Sequence, residues 1–383
     1  LWQHEQLAGD GLKHELKYWH EKLQGLAPLD LPTDRPRPAR PSHRGGLVRF
    51  EVGAAQLAPL KALAQHENAT LFMVLLSAFQ VLLMRYSRQQ DLAVGVPIAG
   101  RNRPELQGLI GYFINTLVLR TDLGGNPGFT ELLGRVRETA LDAFNHQELP
   151  FDRVVAELKL PRDPSRNPLY QVAFVLQNTP DSHITLKGLH TRHIEMQRST
   201  SIFDLMLSVT ETDGALHGKF EYASDLFDAT TIARLAGHFQ VLLAGIVADP
   251  RQSIASLPLL SPTERQQILV HWNNTTQSYP LDQCLHELFE AQVARSPNSI
   301  AAVFDAHSIT YAELNSRANR LAKQLRSLAV GPDVLVGVCM ERSFELLVGL
   351  LAILKAGGAF LPLDPEYPAQ RLAFKMQDAN APV

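Results

Sequence analysis

Residues 70–86 read Thr-Leu-Phe-Met-Val-Leu-Leu-Ser-Ala-Phe-Gln-Val-Leu-Leu-Met-Arg-Tyr, a helix with Thr70 placed as N-cap and an apolar face that is all but continuous. A surface helix keeps a polar side. This one has almost none, so it must be central to a core. Its apolar run, 71–84, is broken by Ser77 and Gln80, and both it and the run 346–354 fall short of the roughly 18 residues that span a bilayer. Both read as buried core helices, with no membrane partner.

The surrounding pattern is mixed. An amphipathic helix over 7–26 carries Leu12, Leu16, Trp19 and Leu23 at spacings of four and three. The stretch 28–41 holds too many prolines for a helix or an inner strand and reads as an extended connector between two lobes. Its arginines either bind an anionic partner or keep a crossing segment solvated. A strand at 47–52, a helix at 54–66, strands at 91–98 and 113–119 and a helix at 129–145 follow. The β-rich runs 170–177, 203–210 and 216–222 come next, the last two joined through Thr212-Asp213-Gly214, where Asp-Gly marks a hairpin turn. A helix over 228–248, capped by Asp228, closes a layered α/β lobe with a mixed sheet.

Beyond it the pattern weakens. Residues 251–280 read as a linker with one short helix at 262–270. From 281 helices at 285–295, 311–328 and 344–355 alternate with strands at 300–304, 334–339 and 359–362, the signature of right-handed βαβ units on a parallel sheet. The 383 residues are enough for two or three domains. Leu1 and the run to Pro382-Val383 make both ends read as cut from a longer chain.

Charge and cysteine content remove whole classes of function. With 36 basic against 39 acidic residues the net charge is −3, which rules out nucleic-acid binding by bulk electrostatics. Two cysteines, Cys284 and Cys339, exclude a disulfide scaffold and a four-cysteine metal site and suit a reducing cytoplasm. His183, His190 and His193 have loosely ligand-like spacing, yet no cysteine or clustered carboxylate joins them, so no metal is expected. The serines lack a nucleophile-elbow context.

Three segments concentrate polarity where chemistry could sit. In Ile110-Gly111-Tyr112-Phe113-Ile114-Asn115-Thr116-Leu117-Val118-Leu119-Arg120 an Asn-Thr pair interrupts an apolar strand, and Asn115 either ties down neighbouring backbone or faces a channel. In His146-Gln147-Glu148-Leu149-Pro150-Phe151-Asp152 the histidine is a possible base or a favourable partner for a helix C-terminus, with Pro150 and Asp152 opening the next helix. In Arg162-Asp163-Pro164-Ser165-Arg166-Asn167-Pro168-Leu169 the charges form either a loop network around Asp163 or a phosphate-binding loop. Gly357 and Gly358, after Lys355, fit a helix stop followed by a strand and not a phosphate loop.

These segments, in this order, resemble the later motifs of the condensation domain of nonribosomal peptide synthetases: 110–120 the fifth, 146–152 the sixth, 162–169 the seventh, with Leu1-Trp2-Gln3 similar to the tail of the fourth. From 281 on the chain resembles the opening of an amino-acid adenylation domain, with Ile309-Thr310-Tyr311-Ala312-Glu313-Leu314 similar to its first core motif and 354–364, holding Lys355, Gly357, Gly358 and Asp364, to its second. The resemblance implies a chloramphenicol-acetyltransferase-like condensation lobe over 1–250 (helix and lobe connector over 1–45), a linker over 251–280, and a truncated parallel α/β start of an adenylate-forming domain over 281–383.

It also implies chemistry. Such domains join a carrier-bound acyl or peptidyl thioester to a carrier-bound aminoacyl amine, using a His-His-x-x-x-Asp-Gly motif that lies in the other lobe; this sequence contains no His-His pair. The resemblance makes no residue here catalytic, gives Asn115, Arg120, His146, Asp152, Arg162, Asp163, Arg166 and Asn167 as tunnel or motif candidates, and gives Tyr311, Glu313, Lys355, Gly357, Gly358 and Asp364 as structural. Arg120 is a candidate to pair with the aspartate of the absent motif, and Arg101 could take the same place. The expected partners are upstream and downstream peptidyl carrier domains and an amino acid substrate, with no nucleic acid. ATP and Mg2+ serve adenylation and phosphopantetheine sits on the carriers, so the piece alone binds no cofactor and is inactive. The competing expectations are a free-standing acyltransferase, an epimerisation domain, or a carrier-docking scaffold with a degenerate motif.

Overall fold

A computed structural model describes residues 9–161, 163–177 and 199–383; the motif residues 1–3, Arg162 and the histidines 183, 190 and 193 lie outside these. The described chain divides into two compact units, 1–274 and 275–383.

The first unit is built on a six-stranded mixed sheet of β1 (Gly45–Val52), β2 (Asp91–Ile98), β3 (Asn115–Asp122), β4 (Val172–Gln177), β5 (Leu205–Thr212) and β6 (Ala215–Ala223), in the order β1-β6-β5-β4-β2-β3. The β2–β4 and β4–β5 pairs are parallel and the others antiparallel. The β5–β6 hairpin turns where Asp-Gly requires it: Asp213 and Gly214 have φ of 53° and 75°, the two positive values of a type I′ turn.

The helices α1 (Gly9–Leu23), α2 (Ala54–His66), α3 (Leu71–Ser87), α4 (Phe129–Asn145), α5 (Phe151–Leu158) and α6 (Ala229–Ala248) pack around this sheet. Helix α3 is the centre of the core, flanked by α2, α4 and α6. Every residue from Met73 to Met84 is buried, and Phe79 meets Phe174 of β4 and Phe220 of β6 with ring centroids 6.1 and 6.2 Å apart. Its two polar residues are handled locally. The Ser77 hydroxyl donates to the Met73 carbonyl (2.8 Å), and the Gln80 amide donates to Thr121 of β3 (3.0 Å). Thr70 caps the helix by accepting from the Met73 N–H. Among the described residues α6 alone is long and apolar enough to cross a membrane, and half of that stretch is buried in the fold.

Three details differ from the sequence expectation. Asp228 stands at the start of α6 without capping it, because its carboxylate is held by Arg35; Asp34 from the proline-rich connector does the work, accepting from the Asp228 N–H (2.8 Å) and the Thr231 hydroxyl (2.9 Å). Residues 251–258, the first part of the expected linker, are docked: Ile254 and Leu257 are buried, and the Phe129 N–H donates to the Gln252 carbonyl, next to the Thr130 N–H on the Pro250 carbonyl. The helix expected over 262–270 is a helical turn, Pro262–Gln266, running on into a π-helical turn, Gln267–His271.

The second unit contains α7 (Leu285–Arg295), β7 (Ile300–Phe304), β8 (His307–Thr310), α8 (Tyr311–Ser327), β9 (Leu335–Cys339), α9 (Phe344–Ala356), β10 (Ala359–Leu363) and α10 (Ala369–Asp378). Strands β9 and β10 pair in parallel through α9, as expected, but β7 turns back on β8 as an antiparallel hairpin through Asp305 at φ 52°. The four-residue His-Ser-Ile-Thr strand carries one apolar residue and gave no alternation to read.

Candidate functional site

Two of the three polar segments of the first unit meet at the start of β3, and Tyr170, the residue after the third, packs beside them on Phe151. The Asn115 amide nitrogen donates to the carbonyls of Gln147 (3.0 Å) and Leu149 (2.9 Å), and its oxygen accepts from the Phe151 N–H (3.0 Å). Both amide hydrogens are therefore engaged on the α4–α5 turn. The oxygen also serves the first N–H of α5, which has Pro150 at its N-cap and no side-chain cap of its own. Of the two readings of Asn115, tying down backbone is the one these bonds describe. Next to it, Thr116 adjoins the Tyr170 phenol. That buried ring lies flat against the backbone of β2 at Gly95, where any Cβ would collide with it, and packs on Phe151 and Phe203. Burial pushes the Tyr170 phenol above its ordinary pKa.

His146 is gripped by α1. Its Nδ1 lies 3.1 Å from both carboxylate oxygens of Glu15, its ring stacks on Tyr18 at 3.8 Å, and its carbonyl accepts from the Trp19 indole (3.1 Å). Burial, with Asp142 and Glu15 beside it, pushes the Tyr18 phenol up. Asp152 stands exposed in the first turn of α5.

The two candidate arginines differ in availability. Arg120 makes a bidentate pair with Asp91 (2.9 and 2.6 Å), and its remaining arm donates to the Lys22 and Gln24 carbonyls (2.9 and 3.0 Å), closing the C-terminus of α1. That pairing, chiefly the Asp91 hydrogen bond, raises its pKa further. Arg101 sits in the 99–114 loop, stacked over Phe113 (4.3 Å) and donating to the Leu106 and Gly111 carbonyls, with no carboxylate bonded to it among the described residues. Around it the loop presents Leu109, Ile110, Tyr112 and Ile114 outward, Ile110 fully exposed.

The third segment is a loop network. Asp163 accepts from the Ser165 N–H (2.8 Å) and hydroxyl (2.6 Å), with Arg166 at 3.8 Å; the Ser165 bonds, hydroxyl first, hold the Asp163 carboxyl below its usual range. Asn167 donates to the Ile202 carbonyl (2.8 Å). Arg37 of the connector reaches the Ser165 carbonyl (3.2 Å) while paired with Asp204. Arg40 and Arg166 face a cavity of about 340 Å3 between connector and loop. Among the described residues no group of three or more histidine, cysteine or carboxylate side chains could hold a metal.

In the second unit both motifs converge on α7. Tyr311 packs against Phe289 (5.9 Å), and Lys355, a nearly buried cation, pairs with Glu290 beneath the Phe289 ring. Thr310 caps α8 at the Glu313 N–H, and Glu313 pairs with Arg317 at 3.6 Å. Gly357 ends α9 at φ 92°, a left-handed conformation only glycine adopts cheaply, and the packing of Val330 leaves no room for a Cβ at Gly358. Asp364 turns the chain after β10 by accepting from the Glu366 N–H.

Sequence reasoning missed Glu15, Tyr18, Asp91 and Asp34, the partners that fix these groups. The i, i+3 spacing of Glu15 and Tyr18 on one face of an amphipathic helix was their only signal.

Comparison with known proteins agrees along the whole chain. The condensation-domain family matches residues 1–269 and the AMP-binding enzyme family residues 289–383. One of the linear gramicidin synthase proteins of Brevibacillus parabrevis is 50% identical over 388 aligned residues, covering 100% of this chain and 5% of that protein. The crystal structure of holo-AB3403, a four-domain nonribosomal peptide synthetase bound to AMP and glycine, superposes with a TM-score of 0.86 at 26% identity over 98% of this chain and 30% of its own. The X-domain from teicoplanin biosynthesis superposes with a TM-score of 0.64 at 30% identity, over 68% of this chain and 61% of its own. The chain thus spans a small part of its curated relative, and it belongs to the condensation-domain family of nonribosomal peptide synthetases, continued by the start of an AMP-binding adenylation domain.

Proposed function

We propose that the first unit is the C-terminal half of a condensation site, and that the second opens a domain that activates an amino acid with ATP and Mg2+ in the cytoplasm. The reaction joins an acyl or peptidyl thioester on one carrier domain to the aminoacyl amine on another. The amine nitrogen attacks the thioester carbonyl carbon, the C–S bond breaks, and the thiol of the donor's phosphopantetheine leaves with the proton balance closed by a general base. The carbonyl oxygen gathers charge on the way and needs fixed donors. No His-His-x-x-x-Asp-Gly occurs in this sequence, so the chain's own part is to hold the wall of the site.

The observation that carries this reading is the meeting of the first two polar segments at β3, where Asn115 is bonded to the 146–152 turn, with Tyr170, the residue after the third segment, packed on Phe151. In it Arg101, and not Arg120, is the positioning residue for the aspartate of the catalytic motif, because Arg120 already has Asp91 as its bidentate partner. Tyr311, Glu313, Lys355 and Asp364 are engaged in packing, pairing and turns, so no contact to ATP or Mg2+ is derived from them.

The test is a pair of variants in a synthetase module containing this chain, read by single-turnover amide formation and by thermal unfolding. Arg101→Ala should slow amide formation by about 100-fold, the scale of a small misplacement of reacting groups, at nearly unchanged stability. Arg120→Ala should lower stability first. The reverse pattern would return the pairing role to Arg120.

A further inference from the structure

Where the first unit lets go of the chain is marked by a buried histidine that none of the motifs uses. His238 on α6 is nearly inaccessible, its Nδ1 lies 2.7 Å from the Tyr86 hydroxyl at the end of α3, and its Nε2 lies 3.1 Å from Glu264 in the helical turn Pro262–Gln266. Directions follow from chemistry. Burial works against the charge on Glu264, but hydrogen bonds from Ser261 and His238 outweigh it and hold the carboxyl below its usual range, so the group is an acceptor. His238 therefore donates from Nε2 to Glu264, and its Nδ1 shares a hydrogen bond with the Tyr86 hydroxyl. That phenol keeps its proton, its pKa being pushed up to about 12 by burial. Glu264 also closes a capping box with Ser261, so the same carboxylate shapes the turn and fastens it.

The neighbouring contacts have the same direction. Arg85, next to Tyr86, donates to the Leu257 carbonyl (3.0 Å), and Pro258 packs where a Cβ on Gly245 of α6 would stand. After Glu264 they cease: every residue from 265 to 285 is exposed. The Gln267 N–H still donates to the Thr263 and Glu264 carbonyls; beyond it the bonds run within the segment, as from the Asn273 amide to the Ile268 carbonyl (2.8 Å) and from the Trp272 N–H to the Gln267 carbonyl (2.9 Å). The π-helical turn Gln267–His271 falls at this point of release, a rare departure from regular α-helix that is frequent at functional sites.

We infer that Tyr86, His238 and Glu264 form a fastening that fixes residues 250–266 to the lobe and confines the hinge of the chain to residues 267–284. His238 is a positioning residue of that hinge, with no contact to reacting groups required, and the inference stands apart from the condensation reading.

Hydrogen exchange on the full chain tests it, comparing amides of 259–266 with those of 267–284 and of strands β5 and β6. In the unsubstituted protein 259–266 should be protected and 267–284 open. His238→Leu, which keeps the apolar volume and removes both bonds, should speed exchange at 259–266 by about tenfold or more while β5 and β6 keep their protection. Glu264→Ala, on the partly exposed side of the fastening, should do the same, and it decides the matter if His238→Leu disturbs the lobe. Tyr86→Phe, which removes only the outer bond, should give a smaller effect. Equal exchange across 259–284 in the unsubstituted protein, or Glu264→Ala exchange indistinguishable from it, would overturn the inference.

Discussion

Asn115 shows how a polar residue in an apolar strand is explained by what it bonds. Its three hydrogen bonds join the start of β3 to the α4–α5 turn, and at about 1 kcal/mol for each bond lost, Asn115→Ala should cost roughly 3 kcal/mol in chemical denaturation. Unchanged stability with lost turnover would move Asn115 to the channel. Asp225 gives a pH-dependent case. The Ser42 N–H (2.7 Å) and hydroxyl (2.8 Å) donate to its carboxylate, Arg44 and His43 stand nearby, and these bonds, the backbone one first, lower its pKa. A depressed carboxylate stabilises above its unfolded pKa of about 3.9 and loses that contribution as pH falls through the lower folded value. Protection of the Ser42 and Arg44 amides, relative to their intrinsic exchange at the same pH, should therefore fall below about pH 4, and Asp225→Asn should abolish that dependence; an unchanged acid response in the variant would assign it elsewhere.

At the scale of elements, legibility followed how local the cause is. Helix α3 could be read because burial on all sides leaves a run with no polar face, and the β5–β6 turn because Asp-Gly suits two positive φ values. Strand β3 begins two residues later than its apolar run suggests, because Phe113 and Ile114 belong to the loop around Arg101. The caps of α5 and α6 were illegible, since Asn115 and Asp34 reach them from 36 and 194 residues away. Helix α7 is held by the same kind of distant contact. Removing one partner of a buried pair costs about 3–5 kcal/mol, whereas replacing the buried charge by an apolar group of like volume is nearly neutral. Lys355, with 3% of its side chain exposed, is the buried member and Glu290 the half-exposed one. Glu290→Ala should thus destabilise the second unit more than Lys355→Met does; the opposite order in thermal unfolding would show the ion pair itself to be the stabilising element.

For the whole molecule, motif order carried the family and the structure supplied the division of labour within it. His146 and Arg120 were candidates for chemistry in the sequence, and each is held by a carboxylate of a neighbouring element, Glu15 and Asp91; Lys355, expected to be structural, is held by Glu290. Arg101 is stacked over Phe113 beside the outward-facing Leu109, Ile110, Tyr112 and Ile114, and in the proposed reading this surface faces the half of the site that carries the histidine motif. The central claim is that this chain supplies half of a condensation site. Its most direct test is amide formation between a donor carrier loaded with an acyl thioester and an acceptor carrier loaded with an aminoacyl group. The assay uses purified 1–383 and, in parallel, a module in which the same residues follow a lobe bearing His-His-x-x-x-Asp-Gly. The account predicts product from the module and none from 1–383; product from 1–383 alone, or none from the module with both carriers loaded, would contradict it.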